Sequence, residues 1–161
     1  MATIDKRGPY QYRVRIRRAG IKDQVRTFRS QEEAELWSAE VELELDRGTF
    51  VCQREAQQTT VADALERYYR EVSAKKKGWK AELSRKNDLQ NQPWAALSLT
   101  ELRPPILVKW RDDQLKNSAP NTVRLKLALL SHLYTTARKE WGMETLLNPV
   151  AAMKLPQVRN E

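Results

Sequence analysis

The sequence predicts an α+β protein: a small three-stranded antiparallel sheet packed on one helix, followed by an all-α helical bundle. Three patterns point there. Tyr12-Arg13-Val14-Arg15-Ile16-Arg17-Arg18 trades apolar and basic residues with a period of two, the signature of a strand with two unlike faces. Ala34, Trp37, Val41 and Leu45 recur at helical spacing behind a capping sequence. Val123, Leu127, Leu130, Tyr134, Ala137 and Trp141 are separated by 4, 3, 4, 3 and 4 positions, which marks one long amphipathic helix.

The sheet comes first. One strand runs roughly from Tyr10 to Arg18, Ala19-Gly20 turns the chain, and a return strand runs about Gln24 to Phe28. Residues 2–6 are expected to add a short edge strand. On the first long strand Tyr12, Val14 and Ile16 share one face, and Arg13, Arg15 and Arg17 share the other. The facing of the return strand stays open, because Gln24, Arg26 and Phe28 alternate with Val25 and Thr27. Two readings fit the arginine row: a clamp for a polyanion, or an edge strand that uses charge against aggregation.

A helix then starts at Ser30, with Glu33 three residues on as in a capping box. Glu32, Glu33 and Glu35 suit the positive end of its dipole, and Gly48 follows its last turn. Residues 51–59 are polar and aperiodic and read as a linker. Thr60 with Asp63 opens a second helix carrying Leu65, Tyr68, Tyr69 and Val72, which ends at Lys75-Lys76-Lys77-Gly78. A third helix covers roughly 80–90, anchored by Leu83 and Leu89, and Pro93 stops it. Pro104-Pro105 begins a fourth, with Ile106, the Lys109 stem, Trp110 and Asp113 along it. Pro120 opens the fifth and longest, ending near Gly142, with Leu125, Leu129 and Leu133 widening its apolar face. The expected organisation is therefore 1–50, a linker at 51–59, a helical domain at 60–155 and a tail at 156–161.

The 161 residues carry 29 Lys and Arg against 21 Asp and Glu, a formal net charge of +8. The charge is unevenly placed. Residues 1–30 hold nine basic and two acidic side chains, residues 31–58 two and eight, residues 59–161 eighteen and eleven. Two basic regions flank an acidic one, a layout that suits nucleic acid. No run approaches the ~18 apolar residues of a membrane span, and the start has no signal-peptide core. The one cysteine, Cys52, has no partner for an internal disulfide and reads as a small filler.

Catalytic chemistry is hard to assemble from these residues. The sole histidine, His132, sits mid-helix with no second His and no Cys at metal-ligand spacing. The five glycines form no phosphate loop. The adjacent carboxylates Asp112-Asp113 and Glu32-Glu33 do not face each other on a helix. No catalytic set, cofactor or metal is expected.

The segments Asn121-Thr122-Val123-Arg124-Leu125, Leu129-Leu130-Ser131-His132-Leu133-Tyr134, Ala137-Arg138-Lys139-Glu140-Trp141-Gly142 and Asn148-Pro149-Val150 together resemble the core-binding domain of phage-type tyrosine recombinases (integrases), a SAM-like helical domain. Tyr12-Arg13-Val14-Arg15, Thr27-Phe28-Arg29-Ser30, Glu33-Ala34-Glu35, Trp37 and Arg47-Gly48 resemble the arm-type DNA-binding domain that precedes it in that family. The resemblance implies a sheet lying in the major groove of arm-type sites and a helical domain clamping the core site, during DNA integration and site-specific recombination. It implies arm-type contacts by Arg13, Arg15, Arg17, Arg18 and Arg26. It implies core-type contacts by Lys76, Lys77, Lys80, Arg85 and Lys86, with Asn121, Thr122, Arg124 and Lys126 at the start of the long helix, where free N–H groups suit phosphate.

The family also carries a third, catalytic domain with two arginines, a lysine, a His-x-x-Arg pair, a further His or Trp and a nucleophilic tyrosine. This sequence stops at Glu161, about where that domain would begin, and Thr135 stands three residues after His132. The chain is thus expected to be the non-catalytic half of an integrase, with Tyr10, Tyr12, Tyr68, Tyr69 and Tyr134 as strand and core residues rather than nucleophiles. The expected partners are double-stranded DNA and other integrase protomers on it, in a bacterial or phage-encoded protein of the cytoplasm associated with the nucleoid, with no membrane. A stand-alone regulatory or architectural DNA-binding protein is the alternative, and a protein-interaction adaptor the third reading.

Overall fold

The computed structural model describes residues 1–51 and 53–158. Cys52, and with it the filler role, lies outside the described residues, as do positions 159–161 of the expected tail. The chain divides into two compact units, Met1–Phe50 and Val51–Glu161.

The first unit has three strands, β1 (Ala2–Gly8), β2 (Gln11–Arg18) and β3 (Ile21–Phe28), in the order β1-β2-β3 with both pairings antiparallel. A helix, α1 (Gln31–Arg47), follows. The strand and helix order is the one expected, with β1 extended at its end to Gly8 and β3 at its start to Ile21. Gly20 makes the β2–β3 turn at φ 85°, in the left-handed region where glycine bears no Cβ penalty. The register then settles the open facing of β3. Val14 pairs with Arg26, Tyr12 with Phe28 and Ile16 with Gln24, so Arg26 shares the face of the buried Val14 and Ile16. The register irregularity falls later, between Ile16 and Arg18.

That face is covered by α1. Val14, Ile16, Ala34, Val41 and Leu45 form the buried core, with Ala2, Ile4, Tyr12, Phe28, Trp37 and Phe50 packed around it. The helix starts where Ser30 Oγ accepts from the Glu33 N–H at 3.2 Å, satisfying one of the orphan donors of the first turn. It ends at Gly48, whose φ of 68° lets its N–H return to the carbonyls of the last turn. Tyr10 departs from expectation: it stands in the turn ahead of β2, not in the strand, and is exposed.

The second unit is helical: α2 (Arg54–Gln58), α3 (Val61–Glu71), α4 (Trp79–Gln90), α5 (Pro104–Leu115) and α6 (Pro120–Glu140), with short 3₁₀ turns at Ser73–Lys75 and Pro93–Ala96. The 51–59 stretch is therefore not a plain linker. Its five-residue α2 buries Ala56 in the core of the helical unit, a contact that a polar composition does not announce. Thr60 caps α3 by accepting from the Asp63 N–H at 3.1 Å.

α6 is the axis of this core. Val123, Leu127, Leu130, Leu133, Tyr134 and Ala137 are fully enclosed, and Trp141 just past its end is buried. Each such aliphatic side chain contributes about 1.5–3 kcal/mol of burial. Leu129 and Leu133 widen the apolar face as expected, but Leu125 is exposed. On α5 the buried residues are Leu107 and Trp110, whereas Lys109 and Asp113 face solvent. The chain past α6 remains attached through Met143, Leu146 and Val150, and Pro156 of the expected tail is buried too.

Candidate nucleic-acid interface

β2 is the central strand, so both of its edges are hydrogen-bonded. Its arginines therefore do not protect an edge. Arg13, Arg15 and Arg17 project from the face opposite Val14 and Ile16, and no element of the first unit covers that face. Thr27 and Asp5 flank Arg13, and Val25 and Thr3 flank Arg15, on the neighbouring strands. Arg17 Nε donates to Asp23 Oδ2 at 3.0 Å. Among the described residues Arg13 and Arg15 make no ion pair. Two guanidinium groups without an ion pair thus stand two residues apart on the central strand of the sheet.

Two of the expected contacts leave this row. Arg18 falls on the helix side, where its Nη1 meets Asp46 Oδ1 of α1 at 2.6 Å. Arg26, facing the helix through its pairing with Val14, lies over the rings of Phe28 and Trp37, 5.2 and 6.0 Å from their centroids. Strand parity placed both; sequence proximity to the row did not. Two further arginines, not among the expected contacts, stand near the row's end: Arg7 at the register shift between Lys6 and Gly8, and Arg29 one residue past β3.

The helical unit sorts its lysines in the same way. Lys86 is 7% exposed; its Nζ donates to Glu66 Oε2 at 2.5 Å and lies over the Tyr69 ring. The Lys86 and Gln90 hydrogen bonds hold the Glu66 carboxyl below its ordinary pKa. Lys126 is 9% exposed and meets Asp88 Oδ2 at 3.1 Å. These two lysines tie α4 to α3 and to α6, so both are corrected from phosphate contacts to ties between helices. Lys76 is also engaged, with Glu82 Oε1 at 3.0 Å and the Tyr68 hydroxyl at 3.5 Å. Burial opposes its charge, yet the Glu82 hydrogen bond and Tyr68 keep its pKa above the usual lysine value.

What remains available is smaller. Lys77 and Lys80 are exposed at the corner before and at the start of α4, without an ion pair among the described residues. Arg85 is half-buried, likewise without one. Asn121, Thr122 and Arg124 are exposed on the first turns of α6. No side chain caps that end, but Pro120 has no N–H and the Thr122 and Val123 N–H groups donate to the Ala119 carbonyl, so the turn offers side chains to a phosphate more than backbone donors.

Three of the tyrosines are held in the cores. Tyr134 is fully enclosed, its hydroxyl donates to the Leu99 carbonyl at 2.8 Å, and burial pushes its pKa well above the ordinary phenol value. Tyr68 and Tyr12 pack in the two cores. Among the described residues no group of three His, Cys, Asp or Glu side chains is placed to hold a metal ion, and no helix is long and apolar enough to cross a membrane. A cleft of the helical unit, floored by Leu99, Leu102, Met143 and Leu146 with Arg103 and Arg138 on its lining, includes none of the candidate residues.

No protein-family model matches the chain. It is 36% identical over 107 residues to a shufflon-specific DNA recombinase of Escherichia coli, across 62% of this chain and 28% of that protein. It is 30% identical over 157 residues to a putative integrase/recombinase of Haemophilus influenzae, across 98% of this chain and 41% of that protein. The chain thus spans less than half the length of these relatives. Among solved structures it is similar to a lambda integrase tetramer bound to a Holliday junction, with a TM-score of 0.55 at 17% identity over 98% of this chain and 48% of that one. A lambda integrase dimer bound to a COC' core site gives 0.54 at 19%, over 98% and 46%. At these identities the structural likeness speaks for the fold.

Proposed function

We propose, for a chain that belongs to the phage-type tyrosine recombinase (integrase) family, that it supplies the DNA-binding, non-catalytic half of an integrase and performs no strand cleavage itself. The observation that carries this reading is the pair Arg13 and Arg15. They are unpaired, adjacent on one face of a central strand, and backed by a packed core that fixes their spacing. A two-stranded or three-stranded ribbon of this width fits the major groove, where arginine reads guanine edges and clamps phosphates. The first unit then takes the arm-type site.

The helical unit takes the core-type site through Lys77, Lys80, Arg85 and the exposed start of α6, Asn121, Thr122 and Arg124. Phosphate contacts of this kind position the protein, whereas the strand arginines specify sequence. Other protomers assemble with it on DNA. The reading is supported by the integrase and recombinase relatives and by the arginine geometry together.

The test is binding to duplex attachment-site DNA over a range of salt. Affinity is expected to fall linearly on logarithmic axes, by about 0.9 per phosphate neutralised. The same DNA, incubated with the protein, is expected to show no nick and no covalent adduct. Salt-independent binding, or a phosphotyrosyl adduct formed by this chain alone, overturns the proposal.

A further inference from the structure

The tip of the β1–β2 hairpin gathers residues that are distant in sequence. Arg7, Gly8, Pro9, Tyr10, Gln11 and Arg29 line one shallow concavity. Arg29 reaches it because Phe28 pairs with Tyr12, which brings the end of β3 level with the hairpin turn. Arg7 and Arg29 are exposed and, among the described residues, make no ion pair. Tyr10 is 76% exposed. A large aromatic side chain in that position has no packing role in this unit.

We propose that this tip is a second DNA contact of the first unit, in which Arg7 and Arg29 hold backbone phosphates and Tyr10 packs on the deoxyribose between them. The inference rests on the reading of the first unit as a DNA-binding unit, and it extends that reading from base contact to clamp. Three features carry it. Arg7 and Arg29 line the same concavity at the turn end of the sheet, Arg7 at the register shift between Lys6 and Gly8 and Arg29 one residue past β3. The concavity lies at the turn end of β2, the strand that carries Arg13 and Arg15. Pro9 fixes φ in the turn next to Tyr10, so presenting the ring costs little chain entropy. Arginine has the planar fork that grips phosphate oxygens in pairs. A tyrosine ring between two such forks meets the apolar part of the backbone, the sugar, and its hydroxyl is dispensable there.

The experiment uses the full chain and a duplex that the unaltered chain selects from a randomised pool. Four variants are titrated: Arg13→Ala with Arg15→Ala, Arg7→Gln with Arg29→Gln, Tyr10→Ala and Tyr10→Phe. Circular dichroism melting confirms that each folds. The Arg7/Arg29 double variant is expected to lower the slope of affinity against salt by about 2, since each phosphate contact contributes ~0.9. Tyr10→Ala is expected to weaken binding about fivefold to tenfold with the slope unchanged, in line with base or sugar packing by an aromatic. Tyr10→Phe is expected to match the unaltered chain.

If the Arg13/Arg15 variant loses affinity while the tip variants change neither affinity nor slope, the tip proposal falls and the DNA-binding reading stands. If all variants bind as the unaltered chain does, both fall. If Tyr10→Phe weakens binding as much as Tyr10→Ala, the ring is not packing on a sugar, and that part of the proposal is overturned.

Discussion

Lys86 Nζ lies 2.5 Å from Glu66 Oε2, twenty residues away on the neighbouring helix, and the lysine side chain is almost wholly enclosed. The pair decides what Lys86 does. A cation that closes a helix–helix seam is not free for a phosphate.

Replacing Lys86 with Met is accordingly expected to cost stability rather than DNA affinity. Hydrogen bonds to charged groups contribute about 1.5–3 kcal/mol, and Glu66 is half-exposed and stays hydrated, so the low end applies. The melting temperature should fall by several degrees while affinity for a core-type duplex, measured well below melting, stays within about twofold. The Lys77→Ala, Lys80→Ala double variant should do the reverse. A Lys86→Met protein that melts normally but binds DNA tenfold more weakly would return Lys86 to the interface.

Arg13→Ala with Arg15→Ala removes two side chains from a face that no element of the first unit covers. The melting temperature should move by no more than a few degrees, as is usual for surface changes. Each lost base contact costs about 1–3 kcal/mol, so affinity for the arm-type duplex should fall ~10-fold or more. Affinity for a core-type duplex should stay unchanged. Arg18→Ala and Arg26→Ala should have smaller effects on the arm-type duplex, because those side chains engage Asp46 and the Phe28 and Trp37 rings. Titrations of the variants at one salt concentration decide this, and equal losses on both duplexes would defeat the two-site reading.

The acid limb of stability has identified groups. Glu71 is held below its ordinary pKa chiefly by the Arg67 hydrogen bond, with the Trp141 indole N–H, 2.9 Å from Oε2, adding to it. Glu66 is lowered by Lys86 and Gln90. A carboxyl whose folded pKa lies below its unfolded one stabilises the fold above the unfolded value, about 4.3. That contribution disappears as pH falls further, through the folded value. Melting temperature should therefore drop below about pH 4, and Glu71→Gln should flatten the drop. An unchanged acid limb in that variant would remove Glu71 from the account.

Tyr134 contributes to the alkaline limb. Its folded pKa is raised by burial, so the neutral phenol is the form the core accepts. Its contribution is complete below the unfolded pKa of about 10 and is lost as pH rises above that. Tyr134→Phe should reduce the fall in melting temperature from pH 9 to about pH 11, Lys76 carrying part of the remainder; it also loses the bond to the Leu99 carbonyl and starts from a lower value, and an unchanged alkaline limb would remove Tyr134 from the account.

Limited proteolysis tests the boundary between the units. The residues after Gly48 and before Arg54 belong to no helix or strand among those described, whereas Arg54–Gln58 is helical with Ala56 buried. An unspecific protease should cut first within 49–53 and leave a helical fragment that keeps α2. A first cut within 55–59 would show that α2 opens independently of the core it packs on.

The patterns confined to one element were legible in the sequence. Period-two alternation placed Arg13, Arg15 and Arg17 on one face, because side-chain direction along a strand depends only on parity. Ser30, Thr60 and Gly48 marked helix ends because capping is a matter of three or four neighbouring residues. The long run from Val123 to Ala137 announced a buried helix because every apolar residue in it repeats the same geometry. Tertiary structure decided the rest, and the decisions concern which charges remain free. Arg18 finds Asp46, Lys86 finds Glu66 and Lys126 finds Asp88, across 28, 20 and 38 positions. Arg26 turns to the helix because of its register against Val14, and Arg7 and Arg29 line one concavity because Phe28 pairs with Tyr12 beside the β1–β2 turn. A local pattern states where a side chain points on its own element. Whether a cation there faces solvent or an opposite charge is set by the element packed beside it, which only the folded chain brings within reach.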